Sequence, residues 1–184
     1  MEAKETIKAW VEEHTQTLYN FAVSKIDDIE IVKDLVQDSF LAAYAGFENY
    51  KENSSPRTWL IGILKHKIAD HYRSLYKNEH ISITQESTFA FFDNVGMWDS
   101  KHIPKDFSTD VNLLDDTEFL YVLNACIGKL PKKLNSAIQL KYYSDISSSQ
   151  ICKDLSITAT NFWQMLHRAK LRLRECLEIN WFKV

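Results

Sequence analysis

The stretch Ser147–Ser148–Ser149–Gln150–Ile151–Cys152–Lys153–Asp154–Leu155, followed by Ser156–Ile157–Thr158 and then by residues 159–177, decides how this chain is read. Ile151 and Leu155 stand four apart, the spacing at which a short helix buries one stripe. Ser156–Ile157–Thr158 interrupts that helix. Thr158 suits the N-cap of a second one, because its hydroxyl accepts from an orphan amide of the first turn. Phe162, Leu166, Ala169 and Leu173 then repeat on one side, while Arg168, Arg172 and Arg174 project elsewhere. Two short helices, a tight turn and a basic outer face predict a helix-turn-helix, whose second helix fits the major groove of duplex DNA.

Upstream, residues 10–25 read as a helix with Leu18, Phe21 and Ala22 inward. Asp27–Asp28 interrupts it and caps a second helix, in which Ile29, Val32, Leu35, Val36, Ala43 and Phe47 keep a period near 3.6. Residues 49–54 are polar and loop-like. Ser55 as N-cap with Pro56 at the first helical position starts a third helix, which reaches about Tyr76 and buries Leu60, Ile63, Leu64, Ile68, Tyr72 and Leu75. Periodicity then fails from Lys77 to about Asn112, where Phe89, Phe91, Phe92, Met97, Trp98 and Phe107 sit among small and polar residues. Linkers are seldom so aromatic, so this segment is read as an extended one that docks on a partner. Asp115–Asp116 opens a helix with Phe119, Leu120, Leu123 and Ile127 inward. Gly128 and Leu130–Pro131 stop it, and another runs through Ala137, Ile138 and Leu140 to Tyr143. The expected fold is all-α, with two helical domains joined by an extended linker. They are residues 1–78, linker 79–112, and residues 113–184 with the helix-turn-helix.

Composition agrees. The 184 residues are 45% hydrophobic, enough for one core or two small ones, and four Gly with three Pro speak against a turn-rich β protein. No apolar run is long enough to span a bilayer. Glu2 and Glu5 stand where a signal peptide wants positive charge, so no membrane insertion and a cytoplasmic location are expected. Cys126, Cys152 and Cys176 are odd in number and far apart, which argues against a disulfide framework. None lies in a CxxC or near a His at ligand spacing, so no metal is expected either. Cys152 is read as a small core residue.

The formal net charge of −3 looks wrong for a nucleic-acid binder until it is divided along the chain. Residues 1–49 and 79–118 are net acidic, whereas 50–78 and 119–184 are net basic. Alternating blocks suit a protein that touches nucleic acid in two places and protein surfaces in between. On the second helix, Asp34 and Asp38 share a polar face. A bundle metal site would need Glu-x-x-His partners on facing helices, and the sequence has none, leaving a solvated face or a protein-docking face. On the third, Trp59 and His66 lie on one side flanked by Lys65 and Lys67. An aromatic ring among cations is what single-stranded DNA requires, although Trp59 is as well explained as core. No phosphate loop, nucleophile elbow or His-Glu-x-x-His is present, so neither an enzyme nor a cofactor is expected.

Taken together, three ordered stretches resemble a bacterial RNA polymerase sigma factor of the extracytoplasmic-function (sigma-70-like) group. Asp34-Leu-Val-Gln-Asp-Ser-Phe-Leu-Ala-Ala-Tyr44 is similar to the family's polymerase-binding helix. Ser54-Ser-Pro-Arg-Thr-Trp-Leu-Ile-Gly-Ile-Leu-Lys-His-Lys-Ile-Ala-Asp-His-Tyr-Arg73 is similar to its helix for the −10 element. Leu130–Pro131, with the helix-turn-helix through Arg174, resembles its −35 reader. The resemblance implies that Asp34, Gln37 and Asp38 face core RNA polymerase at the β′ clamp helices. It implies that Asn53, Ser54, Ser55, Trp59, Lys65, His66 and Lys67 hold the melted −10 strand. It also implies that Trp163, Gln164, His167 and Arg168 face the −35 duplex; Arg172, by its position further along the helix, is read as serving phosphates or protein. The partners are then core polymerase (β and β′ subunits), promoter DNA and, by family habit, an anti-sigma factor. A free-standing helix-turn-helix regulator and a non-DNA helical adaptor are the alternatives. The adaptor has no need of the basic blocks, and the regulator no need of an acidic docking helix.

Overall fold

The computed structural model describes residues 2–78 and 113–182. Its longer elements are helices α1 (Glu2–Val23), α2 (Ile29–Ala45), α3 (Pro56–Asn78), α4 (Thr117–Gly128), α5 (Lys132–Tyr142), α6 (Ser148–Leu155) and α7 (Ala159–Leu177). The expected linker, residues 79–112, lies outside the described residues. The chain gathers into two compact units, one from Met1–Ser74 with Gln139–Ser147, the other from Leu75–Ile138 with Ser148–Val184.

In the first unit, α1 begins about two turns before Trp10, because Ile7 and Trp10 at i, i+3 are both buried and extend the Leu18 and Ala22 stripe. Its charged first turns are no obstacle, since Glu and Lys are good helix formers. Asp28 caps α2 by accepting from the amides of Glu30, at 2.9 Å, and Ile31. The short connection folds α2 back on α1, and Val32, Val36, Phe40 and Ala43 are buried. Ile29, expected inward, is 53% exposed at the first position of α2, where the stripe ends. α3 buries Leu60, Leu64, Ile68, Ala69 and Tyr72, and the Tyr72 hydroxyl donates to the Lys25 carbonyl, tying α3 to the α1–α2 connection. That burial pushes the Tyr72 hydroxyl pKa well above its ordinary value. His71 is half-buried, and burial lowers its pKa against a smaller opposing effect of Asp28.

In the second unit, Asp116 caps α4 through the amides of Glu118, at 2.8 Å, and Phe119. Trp181, in a terminal turn at Glu178–Phe182, packs edge-on against Phe119 with ring centroids 5.4 Å apart. One expectation is overturned here. Cys126 and Cys176 form a disulfide, with Cα atoms 5.9 Å apart. Their 50-residue separation along the chain says nothing about their separation in space. α4 packs on α7, and Cys126 is buried against the last turn of α7. The odd cysteine, Cys152, is the free one, and it is half-buried beside the Ile151–Leu155 stripe rather than part of the core.

Candidate nucleic-acid interface

The helix-turn-helix is built as its sequence demands. Ile151 and Leu155 are buried, and the amides of Ile157 and Ser156 close the end of α6 on the carbonyls of Cys152 and Lys153, at 3.0 and 3.1 Å. This is the Schellman closure, in which the residue past the helix adopts a left-handed conformation. Ser156 does so at φ 56°, where glycine is the usual residue. Thr158 then caps α7 through the Asn161 amide at 3.2 Å. Phe162, Met165, Leu166, Ala169 and Leu171 anchor α7. Leu173, expected inward, is only half-buried, because the buried stripe runs wider than the strict i, i+4 reading and takes in Met165 and Leu171 instead.

The opposite side of α7 is exposed. Trp163 is 52% exposed, Gln164 and His167 are exposed, and Arg168 and Arg172 are half-buried. The N-terminal half of α7 therefore offers an amide, an imidazole and an indole on one face. Both cationic heads follow further along.

The first unit holds the other candidates. Asp34, Gln37 and Asp38 are exposed on α2. Asp38 Oδ2 lies 3.8 Å from Lys67 Nζ, an ion pair that links the acidic face to α3. Residues the sequence reading missed extend this face. Leu41 and Tyr44 are 59% and 52% exposed, and with Val11 they border an open apolar groove of about 520 Å³ between α1 and α2, with Gln37 at its edge. Gln37, Leu41 and Tyr44 at i, i+4, i+7 carried that signal in the sequence.

Asn53, Ser54 and Ser55 are exposed in the loop before α3. Ser55 caps that helix, its hydroxyl accepting from the Thr58 amide at 3.2 Å. On α3, His66 is exposed. Lys65 is paired with Asp145 at 2.9 Å, but Asp145 is largely exposed, so such a pair is worth little. Trp59 lies in the first turn of the same helix. Its ring stands half-buried, 4.9 Å from Tyr50 and 6.0 Å from Trp10, which in turn contacts Phe47 at 5.6 Å. The aromatic residue among cations was legible, whereas its partner Trp10, 49 positions earlier, was not.

Known proteins match these regions in the same order. The family model for sigma-70 region 2 matches residues 10–77, and that for sigma-70 region 4 matches residues 121–173. A probable RNA polymerase sigma factor of Haemophilus influenzae is 30% identical over 165 residues, covering 89% of this chain and 84% of its own. The extracytoplasmic-function sigma factor SigL of Mycobacterium tuberculosis is 28% identical, covering 94% and 89%. Among solved structures, the sigma factor RpoE in complex with the anti-sigma factor NepR, from Bartonella quintana, covers 96% of this chain at 19% identity with a TM-score of 0.41. The chain belongs to the sigma-70 family of RNA polymerase sigma factors, in its extracytoplasmic-function group. It binds core RNA polymerase and promoter DNA and directs promoter recognition at the start of transcription.

Proposed function

We propose a division of labour among the residues described above. Residues 1–78 dock on polymerase and hold the melted −10 strand, residues 113–184 read the −35 duplex, and residues 79–112 link them. Asp34, Gln37 and Asp38 meet the β′ clamp helices, assisted by the apolar border at Leu41 and Tyr44. Asn53, Ser54 and Ser55 take the unstacked base, while Lys65, His66 and Lys67 follow the phosphates of the single strand. Trp59 supports the loop. Trp163, Gln164, His167 and Arg168 face the base edges of the −35 element, and Arg172 grips the backbone. The protein supplies no bond chemistry of its own, since nucleotide transfer belongs to the polymerase. It acts in the cytoplasm, with an anti-sigma factor as a further partner; among the described residues no helix is long and apolar enough to cross a membrane.

The observation that carries this reading is the exposed Trp163–Gln164–His167 face on a helix capped by Thr158 and anchored by Phe162 and Leu166. Gln164 is able to make paired hydrogen bonds to adenine, worth about 1–3 kcal/mol of discrimination. A randomised −35 selection with holoenzyme tests it. Gln164→Ala is expected to change base preference at one or two positions. Arg172→Ala is expected to weaken all sequences alike and reduce the salt dependence. The reading fails if Gln164→Ala leaves the selected sequence unchanged while Arg172→Ala alters it.

A further inference from the structure

We propose that Tyr50 is a positioning residue for strand capture, its hydroxyl holding the 51–55 loop in the shape that presents Asn53 and Ser54 to the melted −10 strand. This rests on the reading that the loop contacts that strand. The Tyr50 hydroxyl donates to the Ser54 carbonyl at 2.7 Å, closing the loop on itself. The ring is fixed from two sides, edge-on to Trp10 at 5.1 Å and tilted against Trp59 at 4.9 Å. The hydroxyl therefore stands on a platform set by α1 and α3 rather than on the loop.

The loop needs such a tie. Residues 51–55 are all exposed, so no burial of their side chains shapes them. Glu52 sits at φ 57°, a left-handed conformation that a side chain disfavours and that persists only where neighbouring contacts impose it. One such contact is the Tyr50–Ser54 hydrogen bond. The other is the Ser55 cap, where the hydroxyl also lies 2.9 Å from the Thr58 hydroxyl. Between these two ties, Asn53 and Ser54 are held in one arrangement before any strand arrives. Ordering that would otherwise oppose binding is already done. Phenylalanine at 50 would keep the ring packing and lose only the tie.

The test uses full-length protein in holoenzyme with core polymerase. The probe is a pool of single-stranded oligonucleotides carrying the non-template −10 region with successive positions randomised. Wild type, Tyr50→Phe and Asn53→Ala are compared, with −35 duplex binding and thermal unfolding measured alongside. Tyr50→Phe is expected to weaken the selected strand by about three- to tenfold, the range of one hydrogen bond. It is also expected to flatten the base preference at the position Asn53 governs. Its −35 binding and unfolding temperature stay as in wild type, and amide exchange across residues 51–55 quickens in the free protein. If Asn53→Ala alters the selection and Tyr50→Phe does not, the positioning role is wrong while the loop assignment stands. If neither variant alters it, the loop does not read the strand and both fall.

Discussion

On the reading proposed above, the two helices assigned to DNA solve opposite problems with opposite architecture. α7 is a regular helix whose apolar stripe is sunk into its unit, leaving Trp163, Gln164 and His167 on an uncovered face. α3 holds Lys65 in an ion pair with Asp145 and Lys67 in one with Asp38, and Trp59 in a cluster with Trp10 and Tyr50. Duplex DNA has a fixed groove, so a rigid helix surface suffices to read it. A melted strand has no fixed shape, so the protein must supply one. On the proposed reading it does so with a loop braced by rings rather than with a helix face.

If that contrast holds, removing the brace is among the two largest effects. Trp59→Ala removes the ring shared by Tyr50 and Trp10, and should destabilise the first unit by about 2–3 kcal/mol, somewhat below the cost for a fully buried ring. Denaturant unfolding of the full chain checks this. A loss below half a kcal/mol would return Trp59 to the role of a stacking surface for bases. Of similar size is the tie on the other side of the comparison. Reducing Cys126–Cys176 releases a loop of 50 residues, and chain entropy puts the loss at about 2–4 kcal/mol. A thermal scan with and without reductant should show a lowered transition in wild type and none of that shift in Cys126→Ser/Cys176→Ser. Smaller in stability but direct in function, Asp38→Arg sets a cation against Lys67 and against a basic docking partner. Core polymerase affinity should fall about tenfold or more with the fold intact, as like charges at an interface do. Unchanged affinity would move the docking face away from α2.

What was legible in the sequence was local. Asp28, Ser55, Asp116 and Thr158 each cap the helix they announce, because a cap is settled within three residues. The stripes of α2, α3 and α7 followed from period alone, with errors at their margins such as Ile29 and Leu173, where coverage by a neighbouring helix decides. What escaped was set by packing between distant segments. The disulfide needed α4 laid on α7, and the support under Trp59 needed Trp10 brought across from α1. Leu41 and Tyr44 were hidden for a related reason: periodicity finds an apolar stripe without saying how much of it a partner helix covers.

The division between duplex reading and strand capture is tested most directly by splitting initiation into two measured steps for His66→Ala and Gln164→Ala holoenzymes. The first is closed-complex affinity on a promoter. The second is permanganate reactivity of −10 thymines at saturating holoenzyme. Gln164→Ala should weaken the first and leave the second at the wild-type level, while His66→Ala should leave the first and lower the second. Both variants altering the same step would contradict the account.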